Sequence, residues 1–129
     1  MHSTGDQERD PLTESVIGAA IEVHRNLGPG LLESMYETCL ALELRGRGVC
    51  VERQVAVPVL NKGQPTGLTF RVDLIVEASV LVEVKSVDRI HPLMDAQVLT
   101  YLKLTGLRTA LILNFNRELL RDGVRRLVR

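Results

Sequence analysis

Phe70-Arg71-Val72-Asp73-Leu74-Ile75-Val76-Glu77-Ala78-Ser79-Val80-Leu81-Val82-Glu83-Val84-Lys85 sets three charges, Asp73, Glu83 and Lys85, into two otherwise apolar, strand-like runs. Leu68, Phe70, Val72, Leu74 and Val76 alternate onto one face, the period of a strand, and turn Asp73 to the other. In the second run Val80, Val82 and Val84 share one face, and Leu81, Glu83 and Lys85 share the other. With Glu77-Ala78-Ser79 as the turn, antiparallel pairing sets Asp73 opposite Glu83. Opposed side chains have Cβ atoms about 4.5–5.5 Å apart, so two carboxylates held there repel unless a proton or a cation lies between them. A hard divalent cation suits the need, because Mg²⁺ takes one or two carboxylates and fills its other positions with water and phosphate oxygen. Lys85 faces the same place.

An ion-pair ladder on an open sheet face is the simpler explanation of such charges taken alone. The spacing argues against it. Both strands are rich in β-branched residues on both faces, and a sheet apolar on both sides is covered on both sides, which leaves the charges in a cleft.

The 129 residues suffice for one domain with a real core, expected over residues 11–129 behind a polar, mobile tail at 1–10. Sixteen basic and sixteen acidic residues cancel, so no global positive field announces a nucleic-acid binder, and any phosphate contact must be local. Two Tyr, two Phe and no Trp disfavour a base-stacking module. Cys39 and Cys50 lack metal or disulfide spacing and read as buried thiols. No signal-peptide stretch and no run near the roughly 18–20 apolar residues of a membrane span is present, so a soluble, cytoplasmic protein without membrane contact is expected.

Thr13 is positioned to cap a helix with Val16, Ile17, Ala20, Ile21, Val23 and Leu27 inward, ended by Gly28-Pro29-Gly30. A second helix is expected from about Leu31 to Arg47, with Leu32, Met35, Tyr36, Cys39, Leu40, Leu42 and Leu44 inward. Val49 to Leu60 reads as a strand in which Pro58 marks a bulge, an edge or an end, and Asn61-Lys62-Gly63-Gln64-Pro65 turns it into the next. After the Val80 to Lys85 strand come a helix from about Leu93 to Leu104 and a buried strand from Arg108 to Phe115. Leu119 to Arg129 is either a short basic helix or a last strand. The helical crossover permits parallel pairing, so the fold class is α/β, a mixed four-stranded sheet flanked by helices.

Asp73, nine intervening residues, Glu83-Val84-Lys85 and then a helix carrying Gln97 resemble the PD-(D/E)XK nuclease superfamily. Gly30-Leu31-Leu32-Glu33-Ser34-Met35-Tyr36 matches the signature of the GxxExxY protein family, a bacterial branch of that superfamily. Val23-His24, Leu27-Gly28-Pro29-Gly30, Gln97 to Leu102 and Asn114-Phe115 fit as well, over nearly the whole chain from Leu12. Asn116, where glycine is expected, and Cys39, often alanine, depart from the pattern without touching the metal motif. The resemblance implies an αβββαβ core with an extra N-terminal helix. It implies Mg²⁺ or Mn²⁺ at Asp73, Glu83 and the backbone carbonyl of Val84, with Glu33 completing the acidic cluster or holding a metal-bound water. It also implies Lys85 as the group that positions water or offsets charge on phosphate, with Gln97 in support.

Each of the remaining candidates has a plainer reading. Glu33 also suits a helix first turn. Tyr101 shares a helix face with Met94 and Gln97 and suits the core. Tyr36 reads as structural, its hydroxyl used locally. His24 and His91 have no partner at metal spacing, and His91 has the better claim to border the cleft. Arg45, Arg47, Arg117, Arg121, Arg125, Arg126 and Arg129 suit either a phosphate backbone or a solvated face. The function expected is a divalent-metal-dependent nuclease acting on DNA or RNA, with a homodimer or partner protein supplying further surface. The alternative is a noncatalytic nucleic-acid-binding or protein-interaction domain with the same fold.

Overall fold

The computed structural model describes residues 10–129, so all but the last residue of the tail expected over 1–10 lies outside the described residues. Asp10 belongs to the first helix. Its carboxylate accepts the Thr13 N–H at 2.7 Å and caps α1 (Pro11–Leu27), with Pro11 in the first turn. Thr13, expected as the cap, is instead buried inside that turn. Gly28, with φ 72°, ends α1, and α2 (Glu33–Gly46) follows.

The sheet contains β1 (Val51–Asn61), β2 (Gln64–Val76), β3 (Val80–Lys85), β4 (Thr109–Asn114) and β5 (Val124–Val128), with α3 (Pro92–Thr105) between β3 and β4. Strand order follows chain order. β3 and β4 pair parallel across the α3 crossover, and every other neighbour is antiparallel. The sheet therefore has five strands rather than four, because the C-terminal segment returns along β4 as β5. The return needs Gly123: a Cβ there would lie 2.1 Å from the Asn114 carbonyl oxygen.

Two cores sandwich the sheet. On one side Val76, Val80, Val82, Val84, Leu111 and Leu113 meet α1 and α2, and on the other Ile75, Leu81, Ala110 and Ile112 meet α3. Leu27, at the end of α1, is exposed although expected inward, and so are Leu32, Met35 and Leu42, since α2 uses the narrower stripe Tyr36, Glu37, Leu40, Ala41 and Leu44. Cys39 is half-buried, and Cys50 is exposed in the connection before edge strand β1.

β1 and β2 form a long ribbon. Asn61 pairs with Gln64 across Lys62 and Gly63, both at positive φ as a two-residue hairpin turn requires, and the register shifts between Pro58 and Leu60. The alternation expected from Leu68 to Val76 holds only in halves: Phe70 and Val72 pack toward α3, but Leu74 and Val76 pack toward α1 and α2. Strand β1 changes face at the same step, with Val51 on the α1–α2 side and Val55 and Val57 on the α3 side. The exchange occurs at Gln54, whose φ of 49° rolls the ribbon, and Gln54 and Asp73 are left out of a register that otherwise runs unbroken from Val51↔Val76 to Pro58↔Thr69. Beyond Val57 and Phe70 the ribbon is largely exposed, Leu68 included.

Candidate active site

β2 and β3 pair through Val76↔Val80, Ile75↔Leu81 and Leu74↔Val82, then separate. The next position in that register is Asp73 against Glu83, and there side chains replace the ladder. The Asp73 N–H donates to Glu83 Oε2 at 2.9 Å, and the Val84 N–H donates to Asp73 Oδ2 at 2.8 Å. Each carboxylate thus satisfies a backbone donor that the fork would otherwise leave unpaired. Along an extended strand a residue's N–H and C=O leave on the same side, so the Val84 carbonyl also turns toward the fork.

Glu83 is 5% exposed. Burial, and then the Asp73 charge, push its pKa up to about 7, against the opposing pull of the Asp73 N–H and the Lys85 ammonium. The half-buried Lys85 ends β3 beside this pair, and its carbonyl accepts the Phe115 N–H at 2.9 Å.

From α2, Glu33 reaches the end of β3, where Oε2 accepts the Ser86 N–H at 3.2 Å, and Ser86 Oγ donates to the Leu31 carbonyl at 2.6 Å. Glu33 is exposed. The helix carboxylate that interacts electrostatically with both Asp73 and Glu83 is Glu37, one turn on and 6% exposed. Burial and Asp73 raise its pKa, while Arg53 and Gln54 oppose the rise. Arg53 Nη2 and Nε lie 3.2 and 3.3 Å from Glu37 Oε2, and Gln54 Nε2 donates to Glu37 Oε1 at 2.8 Å. Sequence reasoning missed Glu37, Arg53 and Gln54. The legible signal was Glu37 itself, an acid at the head of the Leu40, Ala41, Leu44 stripe.

Tyr36 acts structurally. Its hydroxyl donates to the Gly28 carbonyl at 2.5 Å and accepts the Leu31 N–H at 3.1 Å, while its ring stacks on Phe115. These bonds fix the loop that carries Glu33 to Ser86. From α3, the exposed Gln97 hydrogen-bonds Tyr101, whose pKa is raised by burial, then by Glu83 and Asp73, so both residues border the fork. Tyr101 also stacks on Phe70 with ring centroids 4.0 Å apart.

His91 caps α3 through a 3.0 Å bond from the Leu93 N–H, and His24 Nε2 lies 2.7 Å from the Arg117 carbonyl. Several candidate arginines serve the fold: Arg125 pairs with Asp95, Arg47 with Glu43, and Arg45 and Arg129 donate to backbone carbonyls. A hollow of about 660 Å³ near the end of α1, lined in part by His24, Pro29 and Leu119, includes none of Glu33, Glu37, Asp73 and Glu83. The paired carboxylates Asp73 and Glu83 lie instead in the open fork between β2 and β3.

Among the described residues no three His, Cys, Asp or Glu side chains form a ready metal cage. The donor set nonetheless fits a hard cation: two carboxylates with lone pairs to spare and a carbonyl on the same side, the remainder left to water and substrate oxygen. A raised Glu83 pKa marks the same requirement, since a cation relieves the buried like-charge pair as a proton does. A sequence model of the PD-(D/E)XK nuclease superfamily matches residues 10–127. Searches of curated proteins and of solved structures found no match.

Proposed function

The chain belongs to the PD-(D/E)XK nuclease superfamily, and from that premise we propose that it is a Mg²⁺- or Mn²⁺-dependent nuclease hydrolysing phosphodiester bonds in nucleic acid. The observation that carries the reading is the fork itself, where a buried Glu83 faces Asp73 with Lys85 alongside. Asp73, Glu83 and the Val84 carbonyl would hold the metal, with Glu33 as a further contributor at the end of β3. A divalent ion there supplies Lewis-acid polarisation of the phosphate and a lowered pKa for bound water.

The chain's own groups do the rest. Asp73 and Glu83 are kept in fixed rotations by the backbone donors they accept, which limits reorganisation during reaction. Lys85 carries a positive charge to the phosphate oxygens and orients the attacking water. Gln97, at the rim beside Tyr101, offers a hydrogen bond to the phosphate or that water. Glu33 holds Ser86 and so fixes the strand end from which Lys85 projects. The balanced net charge leaves little surface for substrate capture, so a second copy or a partner protein supplies the remaining contacts. No helix among the described residues is long and apolar enough to cross a membrane, and the site of action we propose is the cytoplasm.

The test is cleavage of single- and double-stranded DNA and RNA with Mg²⁺ or Mn²⁺, comparing wild type with Asp73→Asn. The expected result is metal-dependent cleavage reduced at least about a hundredfold in a variant that melts like wild type, because Asn still accepts the Val84 N–H. Binding of nucleic acid without cleavage of any substrate would replace the nuclease with a noncatalytic binding domain.

A further inference from the structure

Among the described residues, four non-glycine residues have positive φ: Gln54, Lys62, Glu77 and Ala78. The last three lie in hairpin turns, where the chain reversal demands it, but Gln54 sits inside strand β1. A left-handed residue within a strand is strained, and it persists where surrounding contacts hold it. Here the contacts are specific. Gln54 Nε2 donates to Glu37 Oε1 at 2.8 Å and lies 3.3 Å from Asp73 Oδ1, and the Gln54 carbonyl accepts Arg71 Nη1 at 3.1 Å. Next to it, Arg53 grips the other oxygen of Glu37 and donates to Thr38 Oγ1 at 2.8 Å. One amide group therefore lies between two carboxylates, tied to α2 through Glu37 and to the fork through Asp73.

Asp73 is thus held from both oxygens, Oδ2 by the Val84 N–H and Oδ1 by the Gln54 amide. A carboxylate oxygen that accepts one hydrogen bond keeps a lone pair for a metal, so the two duties are compatible. We infer that Gln54 is a positioning residue for the metal site, its left-handed backbone aiming the side-chain amide so that Asp73 presents its free lone pairs to the fork. The inference rests on the nuclease reading above. Arg53 and Glu37 form the anchor from which Gln54 works, which accounts for a buried acid on α2 that faces the metal carboxylates without needing to bind the ion itself.

Two variants separate backbone from side chain. Gln54→Gly relieves the left-handed backbone and deletes the amide, and Gln54→Met keeps both length and backbone demand while deleting the donor. For each, Mn²⁺ affinity of the full chain is measured by calorimetry, alongside the metal-free melting midpoint and, on the cleaved substrate, kcat and KM separately. Both variants should bind Mn²⁺ about tenfold or more weakly than wild type. Their kcat should fall while KM is nearly unchanged, and metal-free Gln54→Gly should melt at or above the wild-type midpoint. Mn²⁺ binding by folded Gln54→Gly within about twofold of wild type would overturn the positioning role and leave the nuclease reading intact. Failure of wild type to bind Mn²⁺ would instead remove the metal-dependent reading, and this inference with it.

Discussion

Strand β3 meets its two neighbours in different ways: it stays paired to β4 from Val80↔Thr109 through Lys85↔Asn114, but to β2 only from Val76↔Val80 to Leu74↔Val82. On the β4 side the hydrogen bonding continues past the strand, with the Phe115 N–H on the Lys85 carbonyl, and Leu111, Ile112 and Leu113 are fully buried behind it. On the β2 side the backbone donors of Asp73 and Val84 pass to Glu83 and Asp73 carboxylates. The closed side supplies rigidity. The open side uses it to hold two acids closer than they would stay in a flexible chain, which is what a cation site needs.

Breaking the closed side should have the largest effect on stability. Leu113→Ala removes a fully buried side chain from the core beneath α1 and α2 and should cost about 2–5 kcal/mol, read as a lowered denaturant midpoint. The open side should respond in the opposite sense. Glu83 titrates at about 7 when folded against an ordinary value of 4.5, so between those pH values the folded chain binds more protons than the unfolded one. Its stabilising contribution is complete below about pH 4.5 and is lost as pH rises through about 7, a fall on the order of 3 kcal/mol in metal-free protein. Millimolar Mg²⁺ or Mn²⁺ should flatten that slope, because a bound cation favours the ionised carboxylate. Glu83→Gln should remove the slope and the metal response together. A metal-free stability that rises across this interval would show Glu83 to be an ordinary ion-pair partner.

The same contrast explains what the sequence disclosed. Hydrophobic alternation and the short turn at Glu77-Ala78-Ser79 determine which residues of β2 and β3 face each other, so the opposition of Asp73 and Glu83 was legible from local pattern. The parallel β3–β4 pairing followed from the helix between them. The roll at Gln54 was hidden, because a glutamine in a strand-like run does not announce positive φ, and it reversed the facing of Phe70 and Val72 relative to Leu74. Glu37 was overlooked for a related reason: its significance depends on Arg53 and Gln54, brought to α2 from another strand. Strand β5 lacked a decisive local signal, since Val124-Arg125-Arg126-Leu127-Val128 suits helix or strand until Gly123 permits the close return past Asn114.

The smallest effect belongs to the far end of the ribbon. Leu68 and Leu74 lie on one strand with the same side chain, yet Leu74 is fully buried and Leu68 is 65% exposed, because the ribbon has left the sheet by then. Leu68→Thr keeps a good strand former and removes little buried area, so the unfolding free energy should change by less than about 0.5 kcal/mol. The measurement is a denaturant titration at two protein concentrations. A loss above about 1 kcal/mol that grows with protein concentration would mean that a second copy covers this face in solution. The exposed ribbon would then be part of an assembly, and the contrast between buried root and free tip would hold only for the isolated chain.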